Sequence, residues 1–241
     1  MTVNWYPEID STNSEALRHL PELPHGTVLA ALSQTAGRGQ RGNSWFSAPG
    51  QNLTFSIVLK PSGLPATEAV WLNILSAVAV ARFLDSLDIP CSIKWPNDIY
   101  AGRRKICGML IENSFSAGCV GSSVIGIGIN LNQTDFPQLA SATSLRLQSG
   151  KTYDLEESLE RFLSIFEQLQ PLAFEENGRA ELFGQYSSRL FQKGTPARYH
   201  DYLCEQEYSG ILRDVLPDGR LWIDAPDGPR YYRFKEVGFI L

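Results

Sequence analysis

Three strand-like runs, "CSIKW", "RKICGMLIENSF" and "GSSVIGIGINLN", follow one another with no helix-length segment between them. Turn chemistry in "PND" and "AGRR" separates the first two. A parallel pair needs a crossover of roughly a dozen residues or more, so strands arriving in succession predict antiparallel pairing. Just before them, "EAVWLNILSAVAVARFLDSL" has helical spacing and is largely apolar, which predicts a core helix. The pattern is that of an α+β fold, a mixed and largely antiparallel sheet flanked by helices.

The remaining segments fill in this scheme. "VNWYPEI", "GTVLAALSQ" and "NLTFSIVLK" read as strands. "DSTNSEALRHL" carries a capping box, with Thr12 as the expected N-cap and Glu15 three residues on. Helical patterning returns in "LEESLERFLSIFEQLQ", breaks near Pro171, and resumes in "EENGRAELFGQYSSRL". After Lys193 the character changes to short β runs split by two "PDG" turns. That stretch predicts a small β-barrel of about 45 residues, near the lower size limit for independent stability. The expected division is a catalytic domain over residues 1–192 and a barrel over 193–241.

Composition removes several function classes. Net charge is -5 in 241 residues, which argues against the broad basic face of a general nucleic-acid binder. No apolar run is expected to span a membrane, and "MTVNWYPEID" lacks the basic start and apolar core of an export signal. The four cysteines form no CxxC pair, and the three histidines lack metal-ligand spacing, so a zinc enzyme is not expected.

"SQTAGRGQRGNSWFS" sets Arg38 and Arg41 among Gly37, Gly39 and Gly42. Glycines let backbone approach a ligand, and arginines hold carboxylates and phosphates through a planar fork of donors. The loop therefore suits a bulky anion, although a solvated loop with incidental charge accounts for the same residues equally well. In "KWPNDIY", Pro96 disfavours the α conformation at Trp95, and Asn97 and Asp98 turn the chain. "RRKICGMLIE" puts Lys105 at the mouth of an apolar strand, either as a phosphate-reaching point charge or as a snorkelling stem. "VIGIGINLN" is no dinucleotide fingerprint, because Leu131 stands where the third glycine belongs. Its glycines mark close approach of another group, and Asn130 ends the run as a neutral amide suited to a phosphate or a metal-bound water.

Taken in order, "DSTN", "QTAGRGQRG", "KWPNDIY", "RKICGMLIE" and "GIGINLN" make a far more specific pattern than any one of them. The chain closely resembles the biotin–protein ligases over almost its whole length. The resemblance implies a class II synthetase-like biotin–lipoate ligase fold with a C-terminal SH3-like barrel. It implies activation of biotin by MgATP to biotinyl-5'-AMP, then transfer to one lysine of a biotin carboxyl carrier protein of acetyl-CoA carboxylase. It further implies a cytoplasmic enzyme, monomer or homodimer. Only ten residues precede "STN", leaving no room for a DNA-binding helix-turn-helix, so a monofunctional type without DNA or membrane binding is expected.

By the same resemblance, Ser11, Thr12, Asn13 and Gln34 surround the ureido ring, and Trp45, Gly108, Leu110, Gly126 and Gly128 form apolar walls and floor. Gly37, Arg38, Gly39, Gln40 and Arg41 wrap the valerate arm and the adenylate phosphate, and Lys94 joins the binding set. Lys105 is the expected catalytic cation, followed by Arg38. Asp98 accepts a hydrogen bond from the incoming amine, and Asn130 sits beside Mg²⁺. Gln40 and Asn43 replace two arginines of the usual loop, which predicts a less tightly held adenylate or a cation recruited from elsewhere. The run after Asn132, including Phe136, is expected to supply the adenine pocket. The rival readings are a lipoate or octanoate ligase and a non-catalytic biotin-binding module.

Overall fold

The computed structural model describes every residue except Gln138, Ala140 and Leu241, and for Arg41 the backbone without the side chain. Among the described residues the strands are β1 (Thr2–Tyr6), β2 (Thr27–Ala31), β3 (Leu53–Leu59), β4 (Ser92–Lys94), β5 (Asp98–Ala101), β6 (Arg104–Ser116) and β7 (Cys119–Ile129). They form one seven-stranded sheet in the order β1-β2-β3-β7-β6-β5-β4. Every pairing is antiparallel except β1 with β2, whose parallel match is made through helix α1 (Thr12–Arg18). The sheet is therefore mixed and largely antiparallel, as the succession of strands predicts.

The two-residue period of the central strands divides the sheet into an apolar face and a polar one. Phe55 and Ile57 of β3, Ile125 and Ile127 of β7, and Cys107 and Met109 of β6 belong to the main core. Helices α2 (Val70–Asp85) and α4 (Leu155–Leu169) contribute Phe83 and Phe162 to that same core. Phe162 sits edge-on to Phe55 at 5.1 Å and to Phe83 at 6.1 Å. The alternate residues, Thr54 and Ser56 of β3, Gly126 and Gly128 of β7, and Gly108, Leu110 and Glu112 of β6, turn to the other face. There α1 covers only part of the sheet, through a small cluster of Ala16, Leu29, Val58 and Val124. What α1 leaves uncovered becomes the floor of a cavity.

Two short elements, α3 (Leu145–Ser149) and α5 (Glu176–Ser187), complete the helices. The second sheet holds β8 (Pro196–Asp201), β9 (Gln206–Val215), β10 (Leu221–Ala225), β11 (Gly228–Tyr232) and β12 (Val237–Ile240), in the order β11-β10-β9-β8-β12. It rests on the first through Trp95, whose Nε1 donates to Gly219 O at 3.1 Å, and through Phe191, which meets Tyr100 at 5.2 Å and Phe239 at 6.4 Å.

The structure differs from the sequence reading in several details. The N-cap of α1 is Ser11, not Thr12: Ser11 is extended and its side chain accepts from Ser14 N, while Glu15 pairs with Arg18 instead of reaching back. Among the described residues the C-terminal strands pair as an open sheet with β11 and β12 as edges. Asp98, expected in the turn, opens strand β5, and the polar run after Asn132 contains the short helix α3. Finally, Ala66–Asp85 is long and apolar enough to match a membrane span, with mean hydropathy 1.4. Its packing explains that composition, since Leu72, Leu75, Val78, Phe83 and Leu84 are all buried in the core.

Candidate active site

The Arg-Gly loop folds back over the polar face of the sheet. Gly39 N donates to Asn43 O at 2.7 Å and Trp45 N to Gly37 O at 2.9 Å, so the loop is pinned at its neck. A Cβ on Gly37 would lie 2.3 Å from Trp45 O, so only glycine allows this closure. The pinning directs the Trp45 indole down onto β6 and β7. There a Cβ on Gly128 would lie 2.3 Å from the ring and one on Gly108 2.9 Å, so the paired glycines are the seat of the indole. The Trp45 Nε1–H is buried without a partner, an unused donor in the cavity wall.

At one end of this cavity α1 presents Ser11, Thr12 and Asn13, all buried, together with Gln34. Thr12 N donates to Gln34 Oε1 at 2.8 Å. Ser56 Oγ lies 2.8 Å from Thr12 Oγ1 and 2.6 Å from Asn13 Oδ1. A Cβ on Gly126 would fall 2.1 Å from Asn13 Oδ1, so this glycine makes room for the amide. The end is dense in uncharged donors and acceptors. At the other end stand Lys105, Asp98 and Asn97. Lys105 Nζ meets Asp98 Oδ1 at 2.8 Å and lies 5.6 Å from the centre of the Trp45 ring. Asn97 holds the turn to β6, its Nδ2 donating to Met109 O while Met109 N donates back to Asn97 O at 3.1 Å.

A second cavity opens beyond this charged end. Trp45, Asp98 and Lys105 line both, and the second adds Tyr100, Asn130, Phe136 and Ser141. Asn130 is buried, and its amide donates to Thr143 O at 2.9 Å, which leaves the side-chain oxygen to meet a ligand. The segment after Asn132 is drawn to the site by backbone bonds from Lys105 N to Ser141 O and from Thr143 N to Lys105 O, both 2.8 Å.

The profile of the biotin/lipoate A/B protein ligase family matches residues 5–130, the stretch that carries α1, the Arg-Gly loop, the glycine strands and Lys105. The chain belongs to the biotin/lipoate A/B protein ligase family. Among curated members it is 31% identical over 241 residues to the biotin–[acetyl-CoA-carboxylase] ligase of Paracoccus denitrificans, covering 95% of this chain and 97% of that one. It is 36% identical over 169 residues to the bifunctional ligase/repressor BirA of Bacillus spizizenii, covering 67% of this chain but only 52% of that protein. The chain thus spans about half the length of such bifunctional relatives. Among solved structures, the biotin protein ligase of Aquifex aeolicus in complex with biotin and ATP matches with a TM-score of 0.80 at 28% identity, covering 99% of this chain and 98% of that one.

Most of the ligase-family residues expected from sequence converge on the first cavity: Ser11, Thr12, Asn13, Gln34, Arg38, Gly39, Gln40, Trp45, Asp98, Lys105, Gly108, Leu110, Gly126 and Gly128 all line it. Gly37 acts one step behind, through Trp45, and Asn130 faces the second cavity. Lys94 lines neither. Its Nζ donates to Tyr100 Oη at 3.3 Å and lies 5.5 Å from the Phe239 ring, and burial pushes its pKa down. It packs the first sheet against the second. The Arg41 side chain falls outside the described residues. Ser56, Glu112 and Asn97 were not expected at the site. A polar side chain in an apolar strand was the available signal for Ser56 and Glu112, but only the register of β3, β6 and β7 brings them to α1.

Proposed function

We propose that this chain is a biotin–protein ligase that forms biotinyl-5'-AMP from biotin and ATP and passes the biotinyl group to a lysine of the carrier domain of acetyl-CoA carboxylase. The observation that carries this reading is the junction: Lys105 and Asp98, paired at 2.8 Å, line both cavities at once. One cavity suits a small polar-headed molecule, the other a nucleotide, and the charged pair stands where their reacting ends meet. The chain's likeness to the Paracoccus denitrificans ligase over nearly its whole length supports the same activity.

Joining a carboxylate to a phosphate brings like charges together, and two unit charges about 4 Å apart repel by about 4 kcal/mol at an effective dielectric near 20. A fixed cation offsets that repulsion where the charge develops, which is the role of Lys105. Mg²⁺, when bound with ATP, neutralises phosphate charge. Asn130 would offer it a neutral oxygen and Asp98 a nearby carboxylate, and no group of three His, Cys, Asp or Glu that could hold a metal occurs among the described residues. That donor set fits an ion carried mainly by phosphates and water. In the second step the carrier lysine must lose its proton, at a cost of about 4.6 kcal/mol at pH 7 for a free side chain. Asp98 accepts a hydrogen bond from the arriving amine and orients it. The open five-stranded C-terminal sheet is read as a small SH3-like module over residues 193–241, beside a catalytic domain over 1–192. Four free cysteines suit the reducing cytoplasm.

A lipoate ligase is the rival within the family. The Ser11–Thr12–Asn13–Ser56 end disfavours it, because this cluster of uncharged donors and acceptors suits a ureido group, and a dithiolane ring has no polar N or O to meet it. Pyrophosphate release with MgATP and biotin, lipoate or neither tests both. A burst with biotin alone supports the reading, a burst with lipoate transfers it to the rival, and none with either leaves a binding module.

A further inference from the structure

Arg38 does not stand with Lys105. Its Nη2 donates to Glu112 Oε1 at 2.6 Å and its Nη1 to Ser14 Oγ at 3.4 Å, both at the α1 end of the cavity. Lys105 Nζ lies over Gly108, within 3.0 Å of the place its Cβ would occupy. Glu112 is four residues further along β6, roughly 13 Å away at the usual strand rise.

Glu112 itself does not line the cavity, yet it holds two residues that do. One oxygen takes the Arg38 guanidinium, and the other accepts from Asn13 Nδ2 at 2.9 Å. With Nδ2 also donating to Leu110 O at 3.1 Å and Oδ1 beside Ser56 Oγ at 2.6 Å, the Asn13 amide has one orientation rather than two. Only a group that accepts on both sides can serve Arg38 and Asn13 together. A carboxylate does so; a carboxamide would turn a donor toward one of them.

We propose that Glu112 is a positioning residue for biotin recognition: it fixes which way the Asn13 amide faces the ureido group and straps Arg38, with its loop, across the cavity. Arg38 then serves biotin binding and closure rather than the phosphate. This rests on reading the cavity as a biotin site.

Steady-state adenylation by the full chain, with biotin and ATP varied separately, tests it in Glu112→Gln, Arg38→Met and the double variant. Each single change raises the biotin KM about tenfold or more and moves the ATP KM by less than twofold, and the double variant is no worse than the more severe single one. Arg38→Met keeps the test meaningful should Glu112→Gln fold poorly, because the Arg38 side chain is 40% exposed. A biotin KM unmoved by Glu112→Gln overturns the proposal, as does an ATP KM that rises in Arg38→Met while the biotin KM stays. An unmodified chain that releases no pyrophosphate with biotin sinks the ligase reading and this inference with it. A working chain with unmoved variants sinks only the inference.

Discussion

Lys105 Nζ and Asp98 Oδ1 lie 2.8 Å apart in a wall that the two cavities share. The pair gives a cation and a hydrogen-bond acceptor to the same point in space. In the proposed reaction each would act at a different step, the cation in adenylation and the acceptor in transfer. Lys105→Met is expected to slow pyrophosphate release on the order of a hundredfold, the loss typical of a removed electrostatic stabiliser. Asp98→Asn is expected to slow carrier biotinylation on the order of a hundredfold while adenylation changes by less than about threefold. Single-turnover measurement of the two half-reactions checks this, and equal losses in both would remove Asp98 from the transfer step.

Gly128→Ala puts a methyl group 2.3 Å from the Trp45 indole. The ring faces a cavity, so it can swing aside and the fold survives, but the wall moves into the space for the ligand. Biotin affinity should drop about a hundredfold with the melting temperature nearly unchanged. Calorimetric titration together with a thermal melt reads both quantities. Normal affinity would show that the indole seat is not part of the binding surface.

Gln40 stands in the loop where an arginine is usual, and its Nε2 lies 3.4 Å from Met109 O. Gln40→Arg restores a charge-assisted donor, an addition of about 1.5 kcal/mol or more, and should slow escape of biotinyl-AMP about tenfold. The rate at which preformed adenylate is lost to a trap gives the answer. An unchanged rate would show that another cation already holds the phosphate.

Cysteine reactivity should rank by burial. Cys204 is exposed, whereas burial raises the Cys107 thiol pKa and pushes Cys91 up to about 11. At pH 8 the Cys91 thiolate fraction is on the order of 0.1%, and it rises tenfold per pH unit until the pKa is reached. Mass spectrometry after brief alkylation should find Cys204 modified first and Cys107 only on unfolding. Fast labelling of Cys91 at pH 8 would contradict its place behind α2.

Much of this architecture is written locally. The apolar run of α2, the glycines of β7 and the "PND" turn are short-range patterns with short-range causes. The parallel match of β1 with β2 was not read from the sequence, although the helix at "STN" supplies the crossover such a match requires. What escaped depends on distance in the chain. Ser56 and Glu112 reach Asn13 across 43 and 99 residues, and nothing in either strand announces that meeting. Arg38 looked like a phosphate ligand because its loop composition is that of one. Its side chain is claimed instead by a carboxylate 74 residues away. Lys94 failed for a related reason, since the sequence shows a charge near the motif but not the aromatic rings of the second sheet that enclose it.

Asn43, Ser44, Trp45, Asp98 and Lys105 belong to the walls of both cavities, so in the proposed ligase only a layer of side chains would part the two substrates. A competitor built as one molecule, with a urea-bearing bicycle at one end and a purine nucleoside at the other, would span that layer beside Lys105 and Asp98. Once its first half is seated, the second is confined near its own cavity at an effective concentration in the millimolar range. The thinness of the layer therefore makes the enzyme open to bridging inhibitors whose two halves, tested separately, would look weak.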